Sequence, residues 1–205
     1  MAMTKTKKII TLITAVSLIA VLGIGGTLMY FTDKDTKQNV ITLGKVDGSL
    51  NETTDDPDAE ETPDGIEYDK IKPGQDLSKI PTVTLADDSE DAYLRMQVNI
   101  SGLEAFNGYA EAVEAGLDIG TDWVKGTDGY YYYQKRMTKS ETSSAIFTTV
   151  KIPNEWGNEV AEATFTIDLQ AELIQADNFE PVRNPGNDPN GTIVNWGTVS
   201  IEEAR

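Results

Sequence analysis

The chain has 205 residues, with 17 Lys+Arg against 34 Asp+Glu, a formal charge of −17, no histidine and no cysteine. Without imidazole or thiol there is no Ser-His-Asp chemistry, no ordinary zinc site, no disulfide and no cysteine nucleophile. The acidic excess disfavours nucleic acid and anionic membrane surfaces, because both repel a polyanion.

The N-terminus reads as a targeting segment. Lys5, Lys7 and Lys8 stand without an acid among residues 1–8, and Ile9–Phe31 then runs without a charge. A positive start followed by an apolar stretch is the pattern of an export signal. We expect residues 1–29 to be a signal helix cleaved near Met29–Tyr30, with Thr27, Leu28, Met29 and Tyr30 as the processing region. The run is also long enough to span a bilayer as an uncleaved anchor. Cleavage would remove three lysines and no acid, leaving a still more acidic exported chain without a membrane attachment.

Residues 30–38 follow as a polar, extended arm carrying Tyr30, Phe31, Thr32 and Asp33. Residues 39–205 are expected to form one β-sandwich domain. Val40–Leu50 is β-branched and apolar, a first strand with bends at Gly44 and Gly48. Residues 51–65 (NETTDDPDAEETPDG) lack an apolar period and read as an acidic solvated loop. The order of ligands in a calcium loop is not met there.

After the Lys72-Pro73-Gly74 turn, Leu77–Leu85 is a short strand. Tyr93–Ile100 alternates throughout: Leu94, Met96, Val98 and Ile100 face one way, and Tyr93, Arg95, Gln97 and Asn99 the other. That predicts a sheet with one solvated face, and an ion-pair role for Arg95 with one of the many acids. Leu103, Phe106, Ala110, Val113 and Leu117 fall at helical spacing, opened by Ser101 and closed by Gly116. Gly129–Gln134 and Ala145–Ile152 are further strands, and Ala163–Leu173 alternates most regularly of all. Asn184–Gly191 (NPGNDPNG) is a pair of turns. About eight short strands with turn residues between them and one inserted helix predict a mainly β fold, an antiparallel sandwich of jelly-roll or immunoglobulin-like kind.

Few residues invite chemistry. Trp123, Tyr130 and Tyr132 form a candidate aromatic surface for sugars, although neighbouring tyrosines in a strand face opposite ways, so part of Tyr130–Tyr133 must be packing. Acid pairs such as Asp87 with Asp88 or Glu202 with Glu203 are expected by chance among 34 acids and read as solvated faces. No catalytic, metal-binding or cofactor residue is assigned, and the chain is not expected to be an enzyme.

Several pieces nevertheless occur in a specific order. Gly25-Gly26-Thr27-Leu28-Met29-Tyr30-Phe31-Thr32-Asp33 opens the series, followed by Lys72-Pro73-Gly74 and Tyr93-Leu94-Arg95. Asp128-Gly129 then precedes Tyr130–Tyr133, and Ala171–Asn178 (AELIQADN) and Trp196-Gly197 close it. Together they resemble the TasA/camelysin-like exported proteins of Firmicutes; the departure is Met29, where the family usually has Ala. The resemblance implies a jelly-roll subunit, processing by a dedicated ER-type signal peptidase, and donor-strand assembly into an extracellular biofilm-matrix fibre. It also implies the chain itself as principal partner, with an accessory matrix protein as a further candidate. Some relatives are classed as metallopeptidases, an activity that a chain without histidine is poorly equipped to supply. A monomeric surface adhesin or carbohydrate-binding module is the alternative.

Overall fold

The computed structural model describes residues 32–35, 46–63, 65–157, 160, 163–177, 179–186 and 188–199. The signal segment and its processing residues Thr27, Leu28, Met29 and Tyr30 lie outside this range, as do Phe31 and the Val40–Lys45 part of the first expected strand. All the described residues belong to the unit Phe31–Arg205.

The fold is mainly β and antiparallel with a single α-helix among the described residues. The two strands with the clearest alternation form its centre. β7 (Ala92–Ser101) and β11 (Thr166–Gln175) pair over their whole length, from Thr166 opposite Ser101 to Gln175 opposite Ala92. β9 (Tyr131–Tyr133) and β8 (Trp123–Lys125) extend the sheet beyond β7. On its other side, β1 (Thr32–Asp35) adds to β11, giving the order β1-β11-β7-β9-β8.

A second layer is built from two-stranded ladders. β2 (Gly48–Thr53) pairs with β6 (Ile80–Leu85), and β5 (Asp76–Ser78) with β10 (Thr149–Lys151). The main core includes Leu94 and Met96 of β7, Ala171 and Leu173 of β11, Val83 and Leu85 of β6, Leu77 of β5 and Val150 of β10, joined by Ile146 and Phe147. Each strand therefore spends one side of its two-residue period on the same interior, the arrangement of a β-sandwich. Helix α1 (Tyr109–Ala115) contributes Val113.

The acidic segment is not a loop. Asn51–Thr53 complete β2, while β3 (Ala59–Thr62) and β4 (Gly65–Tyr68) form a hairpin. Glu60, Glu61 and Glu67 are exposed on it, so backbone ladder bonds rather than apolar burial define the strands, and hydropathy carries no sign of them. Glu52 makes an ion pair with the nearly buried Lys79 at 2.7 Å. The helix is also shorter than its periodicity suggests. Gly108 at φ 80° sits in the left-handed region and stops it from extending back to Ser101, while Gly116 caps its other end. Leu103 and Leu117 remain buried without being helical.

Strands of three residues, such as β5, β8 and β10, are too short to show a period. This is why Leu77–Leu85 resolves into two strands and Ala145–Ile152 contracts to Thr149–Lys151. A last hairpin, β12 (Val182–Asn184) with β13 (Thr192–Asn195), encloses the turn-rich 184–191 segment.

Candidate functional site: the β11 edge and the charged row behind it

The expected solvated face of the central sheet is covered where it meets the C-terminal segment. Tyr132, Ile174, Phe179, Ile193 and Trp196 form a second, smaller core on that side, with Tyr93 and Tyr130 packed against it. Phe179 meets the rings of Tyr93 and Trp196 edge to face at 6.1 and 5.9 Å. Burial on both faces is what alternation alone could not foretell, since the polar half of the β7 and β11 periods includes residues that the β12–β13 region later covers.

Arg95 and Glu172 lie within this covered face. They oppose one another on β7 and β11, and are 8% and 2% exposed. The Arg95 guanidinium donates from Nε at 2.8 Å to Glu172 Oε2 and reaches the same oxygen from Nη2 at 2.6 Å. Its Nη1 donates to the Tyr132 hydroxyl at 3.3 Å. The ring of Tyr130 lies 3.9 Å from the guanidinium carbon and that of Trp196 4.5 Å, so aromatic faces take the place of water around the cation. Burial works against the charge on Arg95, but the Glu172 carboxylate and the Tyr132 hydroxyl outweigh it and hold the guanidinium above its ordinary value.

Donors also surround the other carboxylate oxygen. Glu172 Oε1 accepts from Gln170 Nε2 at 2.8 Å and from the Tyr130 hydroxyl at 3.2 Å. The Tyr132 hydroxyl donates to Asp128 Oδ2 at 2.6 Å, and Asn195 Nδ2 donates to that oxygen at 3.0 Å. Burial, and then the hydrogen bond to Asp128, push Tyr132 well above the usual phenol range.

The candidate aromatic surface is thus corrected. Trp123 is 4% exposed and packs on Tyr133 at 5.0 Å, and Tyr132 is fully buried, because both faces of β9 are covered. Tyr130 is half-buried under Arg95. Trp123 and Tyr132 present no open ring for a sugar, and Arg95 takes one face of Tyr130. Another place gathers aromatics beside a cleft of about 490 Å³: Trp156 stacks on Tyr109 at 5.1 Å and 13°, with Phe165 edge-on to Trp156 and Lys70 and Lys72 among the lining residues. Among the described residues, no three Asp or Glu side chains gather so as to hold a metal ion.

At the sheet edge, Thr32 and Asp33 of the expected arm do fall on a strand. β1 pairs Thr32 with Ile174, Asp33 with Leu173, Lys34 with Glu172 and Asp35 with Ala171. β1 is the last strand on that side, and no other described strand flanks it. The sequence assigned no role to Glu172 or Lys34, and Asp128 entered only with Gly129 ahead of the tyrosine run. A usable signal for Glu172 existed: an acid and a base occupy the polar positions of the two most regular strands.

No known family model matches this chain, and neither a curated protein nor a solved structure does.

Proposed function

We propose that the chain is an exported structural subunit of an extracellular surface or biofilm-matrix fibre, of the TasA/camelysin-like kind. It would polymerise head to tail by donating its N-terminal strand to the next copy. The observation that carries this reading is the placement of Thr32–Asp35: the strand lies inside the arm that export processing would free, and among the described strands it pairs with β11 alone. A strand held by one edge can be exchanged for the same strand of a neighbour, because identical backbone hydrogen bonds form in either case. The contact is heterologous, so it propagates instead of closing. While joined to the apolar segment the arm is not at liberty to be donated, which couples assembly to removal of the signal by a peptidase.

The test is assembly of the secreted form, followed by electron microscopy, with and without residues 30–38. Filaments from the whole chain and folded monomers from the shortened one are expected. Polymerisation that survives the deletion refutes donor-strand exchange. The adhesin reading has one specific observation in its favour, the cleft lined by Trp156 and Phe165. Glycan binding abolished by Phe165→Ala in a chain that forms no filaments would favour it over the fibre.

A further inference from the structure

Register positions run in a single row across four strands: Tyr132 of β9 opposes Arg95 of β7, Arg95 opposes Glu172 of β11, and Glu172 opposes Lys34 of β1. Directly opposed positions of an antiparallel pair share a face of the sheet and interact most strongly of all cross-strand pairs. Glu172 therefore has a cation at the opposed position on each side. Arg95 contacts Glu172 directly and reaches Asp128 through the Tyr132 hydroxyl, so one guanidinium serves two carboxylates.

The residues beside Lys34 sharpen the point. In this register only Lys34 opposes Glu172; a slip of one residue in either direction would set Asp33 or Asp35 against it, and a slip of two would set Thr32 or Thr36 there. A like-charged residue opposite a nearly buried carboxylate is unfavourable, and a one-residue slip would in addition turn every β1 side chain to the other face. Four-residue strands with little apolar content have few other means of fixing their register, because the hydrophobic pattern that usually does so is missing.

We propose that Asp33-Lys34-Asp35 is a charge code for strand register: Lys34 fixes the N-terminal strand on β11 through Glu172, and the flanking aspartates exclude the neighbouring registers. The β11 edge is in this way selective for an incoming strand with one cation between two acids, which a second copy of this chain provides. As a statement about assembly this rests on the fibre reading above; as a statement about register it holds whichever copy supplies the strand.

The chain has no cysteine, so an introduced pair reports register without background. Thr32→Cys with Ile174→Cys joins the observed register, and Thr32→Cys with Leu173→Cys joins the register in which residue 33 opposes Glu172. Each pair is placed in the secreted, processed form, alone and together with the composition-neutral exchange Asp33→Lys, Lys34→Asp. Disulfide formation rates are measured under mild oxidation on mixtures of two differently tagged preparations.

The exchange is expected to slow the 32–174 cross-link roughly ten-fold and to speed the 32–173 cross-link, while Lys34→Arg leaves the first unchanged. Equal 32–174 rates with and without the exchange overturn the proposal. Cross-links confined to single chains, yet responding to the exchange, refute donor-strand assembly and leave the register code standing. A readout free of cysteines guards against loss of fold at Ile174 or Leu173. In Lys34→Gln, backbone amide exchange is expected to accelerate several-fold in β1 and β11 with β6 unaffected, and unaltered protection of β1 counts against the proposal.

Discussion

Replacing Glu172 by Ala leaves the Arg95 guanidinium in a site 8% exposed, with Tyr132 and two aromatic faces but no counter-charge within the ion pair. Breaking a buried pair from one side costs about 3–5 kcal/mol, because the remaining ion keeps its desolvation penalty. Arg95→Met leaves the Glu172 carboxylate its donors Gln170 and Tyr130 and the opposed position of Lys34, and is expected to cost about 3 kcal/mol, the lower end of that range. The double variant Arg95→Met, Glu172→Leu removes both charges from an environment already lined by Tyr130, Ile174 and Trp196, and is expected to fall within about 1–2 kcal/mol of the parent. The coupling energy in this cycle would then reach or exceed the ~3 kcal/mol upper end for contacting residues. Urea unfolding followed by tryptophan fluorescence measures it: at a slope of about 2 kcal/mol per molar, each single variant should lose roughly 2 M of midpoint. Single variants costing under ~1 kcal/mol, the range of exposed pairs such as Lys135–Asp122, would refute the account of Arg95 and Glu172 as a buried pair.

Stability should also fall with acidification for an identifiable reason. Asp122 is held below its ordinary value first by the Lys135 hydrogen bond. Asp118 is held below it by the amides and hydroxyl of Thr148 and the amide of Thr149, which outweigh the opposing effect of burial. A depressed carboxylate contributes stability above its unfolded value, near 3.8, and loses it as pH falls through the lower folded value, so Asp118→Asn should flatten the acid limb of thermal stability against pH. Gly102 has φ 90° and an added Cβ would lie 2.4 Å from the Thr164 carbonyl oxygen; Gly102→Ala should lower the unfolding free energy by more than 1 kcal/mol, and an unchanged urea midpoint would contradict this. Trp123→Ala should act through the core, costing about 3–5 kcal/mol in the same urea assay, whereas an unaffected midpoint would return Trp123 to the surface.

The sequence alone determined the parts governed by local period and by residue chemistry. Leu94, Met96 and Ala171, Leu173 declare a buried face by alternation, Gly116 closes the helix, and the absence of histidine and cysteine removes whole classes of site before any fold is known. The tertiary structure decided what lies opposite what. Glu172 and Arg95 are separated by 77 residues, and only the β7–β11 register makes them one buried pair instead of two polar positions on a solvated face. The acidic hairpin β3–β4 and the covering of both faces of β9 were equally hidden, because a ladder of backbone hydrogen bonds leaves no hydropathic trace and a second covering layer arrives from distant chain. The same holds for the candidate site: the arm was legible as a polar segment after an apolar run, but the carboxylate that Lys34 opposes is fixed by long-range strand pairing, which no window of local sequence contains.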